Sequence, residues 1–311
     1  MKKRISKFVP FWVKLFIAMC LYRIFQLRMI FERKVPKVND FEHTVNYIIK
    51  NGVSVSRFGD GEFKWMFQNR EDGNFEINSP ALSNALKNTL NKRSKNLMVC
   101  IPDVFSGLSQ YNEEAKEYWG ICLGLNGVSW VRKLDNSKPY FDTQFTRPYM
   151  DYKDKRNAGN KFQALKLIWK DRDVLVVEGT KSRFGVGNDL LSNTRSVKRI
   201  LAPSTNAFEK IDDIRNKILQ ETSNGDVLVL LSLGPTATVL AAELSEKNIQ
   251  SIDIGHVDIE YSWYLMGATE KVPVAGKYVN EVPNGGHEVN EISNQDLNNK
   301  YHSEVVSIIS K

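Results

Sequence analysis

The chain has 311 residues, of which 42% are hydrophobic and 25% are charged, and its formal net charge is +7. This length and apolar content suffice for a large buried core and exclude a disordered tail. The positive charge favours an anionic partner. Nucleic acid is not expected as that partner, because the chain has no zinc-finger, helix-turn-helix or aromatic RNA-binding signature. Cys20, Cys100 and Cys122 are widely spaced and include no C-x-x-C pair, so we expect buried thiols without disulfides or a zinc site.

The first 36 residues differ in character from the rest of the chain. Four of the first seven are Lys or Arg, and an apolar run follows over residues 8–31. Charges interrupt this run before it reaches the roughly 18 to 20 residues of a spanning helix, and no signal-peptide cleavage site follows it. We therefore predict a membrane-interfacial helix in residues 1–36 and a catalytic domain in 37–311, at the cytoplasmic face of the plasma membrane. The alternative is a helix packed on the catalytic domain or on a second subunit.

Beyond residue 37, helical and strand patterns alternate. Apolar periodicity predicts helices over residues 40–51, 80–90, 162–169 and 238–247. Short apolar runs predict strands over residues 53–56, 97–101, 173–179, 226–233 and 249–254. This alternation predicts an α/β fold with a Rossmann-like parallel or mixed sheet between helices. Ligands of such sheets bind beyond the carboxyl ends of the strands, so the loops at that edge hold the candidate sites.

The loop after the first strand sets Asp60 and Glu62 one residue apart. In extended chain, residues two apart point to the same side, so both carboxylates are expected to face one hard cation such as Mn²⁺ or Mg²⁺. Gly59 would let the backbone approach a diphosphate, and Arg57 would meet the diphosphate's charge. A solvated turn is the alternative, because Asp-Gly is also a common turn dipeptide.

Two further loops have the composition of anion-binding sites. Residues 178–189 combine two cations with three glycines, and a helix is expected to follow and to add its dipole. The candidate ligands in this loop are Lys181, Arg183, Gly185, Gly187, Asn188 and Asp189. It matches neither the P-loop nor a full G-x-G-x-x-G, so no ATPase or dinucleotide site is predicted. At the later junction, Gly234 and Thr236 either cap a helix or contact a nucleotide.

The loop after the last predicted strand carries four ionisable groups within residues 253–260. His256, Asp258 and Glu260 are candidates for a general base, and His256 is also a candidate metal ligand. A structural histidine is the alternative reading.

Together these motifs resemble the bacterial GT-D fold glycosyltransferases. The motifs that carry the resemblance are Ser-Arg-Phe-Gly-Asp-Gly-Glu-Phe at 56–63, Ile-Pro-Asp-Val-Phe at 101–105, Arg-Pro-Tyr at 147–149, Val-Glu-Gly at 177–179, Gly-Val-Gly-Asn-Asp-Leu at 185–190, Gly-Pro-Thr-Ala at 234–237 and Asp-Ile-Gly-His-Val-Asp-Ile-Glu-Tyr at 253–261. They keep the family's order over about residues 40–285. The resemblance implies a metal-dependent transferase that moves a hexose, typically glucose, from a UDP-sugar to a glycan acceptor. The family's Asp-x-Glu metal motif is matched by Asp60 and Glu62.

The motifs do not identify the acceptor. Basic apolar termini suggest lipid-linked glycans in surface polysaccharide assembly, with a glycoprotein as the alternative acceptor. Residues 121–142 match no motif and are expected to shape the acceptor pocket, and the tail from residue 284 either closes over the donor or ends the domain. Two other functions compete with a glycosyltransferase. They are a metal-dependent phosphohydrolase and a non-catalytic membrane scaffold. The sequence does not indicate the oligomeric state.

Overall fold

The computed structural model describes residues 11–67, 76–223, 225–282, 289 and 292–310. The helices are α1 Phe11–Glu32, α2 Phe41–Asn51, α3 Asp60–Met66, α4 Pro80–Asn91, α5 Glu113–Val131, α6 Ala158–Lys166, α7 Ile211–Glu221, α8 Pro235–Ser245, α9 Val257–Leu265 and α10 Gln295–Glu304. The strands are β1 Ser54–Arg57, β2 Leu97–Ile101, β3 Phe141–Asp142, β4 Asp173–Gly179, β5 Ser196–Ala202, β6 Val227–Ser232, β7 Ser251–Asp253 and β8 Val305–Ile308.

All eight strands join one parallel sheet in the order β3-β2-β1-β7-β6-β4-β5-β8, which confirms the predicted α/β fold. Alternate residues of each strand face opposite sides, so Val174 and Val176 of β4 pack in one core and Leu175 and Val177 in another. Helices α2, α6 and α9 cover the first face of the sheet, and α7 and α8 cover the second. Because both faces are covered, the central strands are continuous apolar runs.

Several helices and strands begin or end at residues other than those predicted. Strands β2 and β4 have the predicted limits, whereas α6 begins at Ala158, four residues before the predicted start. Strand β5 was not predicted, because Lys198 and Arg199 interrupt its apolar pattern. Arg199 is buried there through ion pairs at 2.7 Å with Glu178 and with Glu304. Such long-range pairing is not visible in a local sequence window.

Helix α1 packs along α5, which was the alternative left open for the N-terminal segment. The contact is close because α5 presents glycines: a Cβ added to Gly124 would lie 2.4 Å from the backbone oxygen of Ala18. Tyr22 and Phe25 of α1 are buried in the core that includes α4 and α5. Cys20 is exposed on α1, contrary to the expectation of a buried thiol. Residues 1–10, with the predicted basic cluster, and residues 284–287 of the predicted tail lie outside the described residues.

Across the described part of the chain, we find no helix with both the length and the apolar character needed to cross a bilayer.

Candidate active site

The carboxyl ends of the central strands open into a cavity of about 760 Å³. Its walls come from the ends of β1, β4, β6 and β7 and from the N-terminal half of α5. The acidic lining residues are Asp60, Glu62, Glu76, Glu114, Glu117, Asp151, Asp253, Asp258 and Glu281, and the basic ones are Arg57, Arg147, Lys181 and Lys271. The cavity is therefore acidic, although the chain as a whole is basic.

Asp60 and Glu62 both line the cavity, but not in the extended geometry assumed from the sequence. They lie in the first turn of helix α3, where side chains two residues apart leave the axis about 200° apart. Asp60 accepts a hydrogen bond from Lys64 at 2.6 Å and another from the Tyr118 hydroxyl. Glu62 turns back to accept from the backbone N–H of Gly59 at 2.8 Å, as in a capping box. The extended-turn premise is therefore wrong, although both carboxylates reach the same cavity.

Glu62 is in an environment that disfavours its negative charge. Burial, and next the nearby carboxylate of Asp253, raise the pKa of Glu62 to about 7. Arg57 opposes this effect only in part, because its guanidinium also lies 3.3 Å from Asp253 and donates to the carbonyl of Thr143 at 3.2 Å. The cavity thus holds an excess of negative charge beside Arg57.

Gly255 allows Arg57 to occupy this position. It has a positive φ of 47°, and a Cβ there would lie 2.0 Å from Nη1 of Arg57. Its backbone N–H donates to Asp253 at 3.1 Å. The backbone of Gly255, in the loop after β7, therefore holds Arg57 at the end of β1 against Asp253 at the end of β7.

The glycine-containing loop after β4 contributes fewer residues than predicted. Lys181 and Ser182 line the cavity, together with Gly179 and Phe184. Arg183 instead donates to the carbonyl of Gly276 at 3.0 Å and is 9% exposed. The expected helix after this loop is wrong: residues 180–195 form turns that lead directly into β5. No helix dipole therefore follows the loop within this described stretch.

The remaining predicted ligands of this loop have packing roles. Gly185 and Gly187 have positive φ angles of 72° and 79° and make its turns. Asn188 donates to Asp258 at 2.8 Å. Asp189 accepts from Lys166 at 2.8 Å and from the Tyr261 hydroxyl at 2.5 Å.

At the junction between β6 and α8, Gly234 lines the cavity. Thr236 is fully buried and donates to Glu76 at 3.2 Å. Burial raises the pKa of Glu76 to about 7, even though Glu76 also accepts from the backbone N–H of Phe208. Thr236 therefore does not line the cavity itself but binds Glu76, which does. The sequence motifs did not indicate Glu76.

The three candidate bases have different environments. The sequence predicts a loop for the segment that carries them, but residues from Val257 onward form helix α9. His256 lines the cavity, and burial, with the charge of Arg147, lowers its pKa to about 4. Asp258 also reaches the cavity, but Lys277 holds both of its oxygens at 2.7 and 2.8 Å. Glu260 is 0% exposed and accepts from the backbone N–H groups of Tyr149 and Met150.

An ionic cluster that the sequence did not predict lies beside His256. Glu281 is 3.7 Å from Nε2 of His256 and 3.3 Å from Lys271, and it pairs closely with Arg147. Asp151 completes the cluster, at 3.5 Å from Lys271 and 3.7 Å from Arg147. Burial would raise the pKa of Glu281, but Arg147, His256 and Lys271 together lower it below its usual value. The Arg-Pro-Tyr motif and His256 pointed to this region, but Glu281 was missed because it lies 134 residues from Arg147 in the chain.

Known proteins match this chain in sequence and in structure. A family model described as glycosyltransferase GT-D fold matches residues 55–282. The chain is 36% identical over 251 residues to a probable glycosyl transferase Gly of Streptococcus gordonii, and 36% identical over 248 residues to glycosyltransferase GlyD of Streptococcus pneumoniae serotype 4. These alignments cover 80% and 79% of this chain but 36% and 30% of the relatives, so the chain spans about a third of their length.

Solved structures agree with the family match. One, of domain of unknown function 1792 and described as having a distinct glycosyltransferase fold, superposes with a TM-score of 0.83 at 36% identity, covering 92% of this chain and 100% of that one. Another, described as a new glycosyltransferase (DUF1792) from Streptococcus sanguinis, gives 0.81 at 35% identity, covering 88% and 100%. The chain therefore belongs to the GT-D fold glycosyltransferase family.

Proposed function

We propose that this chain transfers a hexose, such as glucose, from a UDP-sugar to a glycan acceptor, with Mn²⁺ or Mg²⁺ at the donor diphosphate. The observation that carries the proposal is the acidic cavity at the carboxyl edge of the sheet. Its described lining residues include nine Asp and Glu but four Lys and Arg, and Lys64 and Lys277 pair with two of the nine acids from outside the lining. A diphosphate would be repelled by such walls unless a divalent cation accompanied it.

Asp60 and Glu62 suit such a cation. Hard divalent ions prefer oxygen ligands, and nucleotide sites commonly offer Mg²⁺ only one or two carboxylates, the other positions being filled by phosphate and water. Within the described ranges, no group of three or more His, Cys, Asp or Glu side chains is arranged to hold a metal ion by itself, so phosphate oxygens and water would have to complete the coordination. The raised pKa of Glu62 supports the same assignment, because a cation would offset its repulsion from Asp253. When bound, the metal would stabilise negative charge on the departing diphosphate.

The groups proposed to hold the diphosphate lie at neighbouring strand ends. Arg57 at the end of β1 and Lys181 after β4 supply positive charge. Gly234 brings backbone close to the cavity, where N–H groups can reach phosphate oxygens, whereas the N–H of Gly59 already donates to Glu62. Arg57 is held in place by Thr143 and Asp253, so it would bind the phosphate without a costly rearrangement.

Of the candidate bases, His256 fits the role best. With a pKa of about 4 the imidazole is neutral at neutral pH and can accept a proton, although this low pKa makes it a weak base. Glu281, 3.7 Å from Nε2, would stabilise the imidazolium after proton transfer. His256 would take the proton of the acceptor hydroxyl as its oxygen attacks the anomeric carbon and the bond to UDP breaks. Asp258 and Glu260 are committed to Lys277 and to backbone N–H groups, respectively. Direct attack of this kind predicts inversion at the anomeric carbon, which NMR of the product linkage would test.

A binding experiment tests the donor and metal assignments together. UDP with Mn²⁺ should raise the unfolding temperature of the wild-type protein more than either component alone, since ligands that bind only the folded state stabilise it. The variant Asp60→Asn, Glu62→Gln should lose that extra stabilisation. The control Asp213→Asn, Asp226→Asn alters two exposed carboxylates outside the cavity and should keep it. If UDP gives no stabilisation with any divalent metal, the nucleotide-sugar assignment is wrong and a phosphohydrolase becomes the better candidate.

The proposed acceptor rests on the composition of the N-terminal segment. A surface polysaccharide precursor, including a lipid-linked glycan, fits an enzyme whose basic apolar N-terminal segment meets a membrane. A glycoprotein is the alternative acceptor, and a panel of both kinds would separate them.

A further inference from the structure

Helix α1 has two apolar faces, and the body of the protein covers only one of them. At about 100° of rotation per residue, the four buried side chains Ala18, Tyr22, Phe25 and Met29 fall within an arc of about 60°. Seven large apolar side chains are exposed on the helix. They are Trp12, Phe16, Ile17, Ile24, Leu27, Ile30 and Phe31, and they fall within an arc of about 140° centred on the opposite side. We call these seven residues the outer face of α1.

The outer face is a patch rather than a set of scattered residues. Trp12 is 70% exposed, Phe16 67%, Leu27 68% and Phe31 91%. Contiguous apolar surface of this kind on a soluble domain marks a site of contact with another protein or a membrane. The opposite face is fixed on the glycines of α5, so α1 cannot bury both faces against the described body.

The charges of α1 decide which partner fits. Arg23 and Arg28 are exposed on the helix, and its single acid, Glu32, is paired with Arg28 at 2.6 Å and with Lys34 at 3.0 Å, which leaves Arg23 as the cation beside the outer face. Arg23 is exposed between the outer-face residues. In a symmetric dimer through this face, each positive helix would meet its own copy, and like charges would repel. An anionic lipid leaflet complements both the apolar side chains and the cations.

We infer that the outer face of α1 docks the protein on an anionic membrane surface, with α1 lying in the plane of the headgroups. Trp12 and Phe16 enter the boundary between headgroups and acyl chains, and Arg23 meets lipid phosphates. Helix α5 joins this surface to the cavity: Gly120, Gly124 and Gly127 receive α1, while Glu114 and Tyr118 of the same helix line the cavity. Docking therefore fixes the orientation of the cavity relative to the membrane, whatever reaction takes place in it.

Sedimentation of the full chain with vesicles tests this inference. Vesicles of phosphatidylcholine with phosphatidylglycerol should carry the protein down, and pure phosphatidylcholine vesicles should carry down much less. The variant Trp12→Gln, Phe16→Gln, Leu27→Gln should reduce the bound fraction by about tenfold or more. The control Leu167→Gln, Leu265→Gln changes apolar side chains of similar exposure elsewhere and should bind as the wild type does.

Two further readouts make the result decisive. Trp12 is highly exposed whereas Trp65, Trp130, Trp169 and Trp263 are buried, so brominated anionic lipids should quench a Trp12-dependent part of the fluorescence of the wild-type protein. Light scattering without lipid should give the same mass for wild type and variant. A wild-type protein that stays in the supernatant with anionic vesicles overturns the inference, as does a dimer that dissociates in the outer-face variant. UDP-dependent stabilisation, measured separately, reports on the proposed activity alone.

Discussion

Substitution of Gly255 by alanine should perturb Arg57 without changing any charged group. The glycine has φ of +47°, and alanine in this left-handed region costs about 1–2 kcal/mol. Its new Cβ would also lie 2.0 Å from Nη1 of Arg57, so the guanidinium must move. That movement breaks a contact of 3.3 Å with Asp253, whose side chain is 5% exposed. Separating such a buried pair costs about 3 kcal/mol in addition.

Gly267→Ala is the matched control. Gly267 has a similar φ of +63°, but nothing lies within 4 Å of the added Cβ. The control therefore loses stability through backbone strain alone. The difference between the two variants isolates the displacement of Arg57.

Urea unfolding and donor turnover measure the two consequences. We expect the free energy of unfolding of Gly255→Ala to fall about 3 kcal/mol further than that of Gly267→Ala. Turnover should fall on the order of 10²-fold further, because a preorganised charge at the leaving diphosphate would be displaced. Equal stability and equal turnover in the two variants would show that Gly255 does not set the position of Arg57.

Three further predictions concern the titratable groups around the cavity. Burial raises the pKa of Glu260 from 4.5 to about 7, so the contribution of Glu260 to the stability of the folded protein should fall by about 3 kcal/mol as pH rises from 4.5 through 7. Glu260→Gln should lack that loss, and urea midpoints that differ equally at pH 5 and pH 8 would contradict this. Because burial lowers the pKa of His256 to about 4, kcat/KM should show no acid limb near pH 6.5, and His256→Ala should reduce turnover by about 10²-fold or more. A His256-dependent limb near pH 6.5 would show that this site is solvated. Glu281→Gln should cost about 3 kcal/mol of stability, because Arg147 would lose a buried charged partner. Asp154→Asn, which alters an exposed pair, should cost much less. Equal losses in urea unfolding would count against the buried cluster.

The parts of the fold that follow from local pattern were predictable. Strands β2 and β4 are uninterrupted apolar runs and have their predicted limits, because parallel strands buried on both faces have that sequence signature. Strand β5 carries Arg199, and its burial depends on Glu178 and Glu304. Those partners lie 21 and 105 residues away, so no local pattern reports them.

In the candidate site, too, residues with a local sequence signal were predicted and residues that depend on distant partners were not. Asp60 and Glu62 were found from spacing and chemistry, but their helical geometry was missed because two glycines suggested a turn. The spacing of Gly59 and Glu62 is that of a capping box, followed by apolar Phe63, and this local signal could have indicated the helix. Glu281 had no such signal, because its role arises only where distant Arg147 and His256 meet it.

The proposed function requires a metal-dependent UDP-sugar reaction in this cavity. Release of UDP from a panel of UDP-sugars, with Mn²⁺ or with EDTA, tests it most directly. We predict release from one sugar that requires Mn²⁺ and is lost in the variant Asp60→Asn, Glu62→Gln. Release that continues in EDTA, or that the variant retains, would show that the metal at Asp60 and Glu62 is not needed for the reaction.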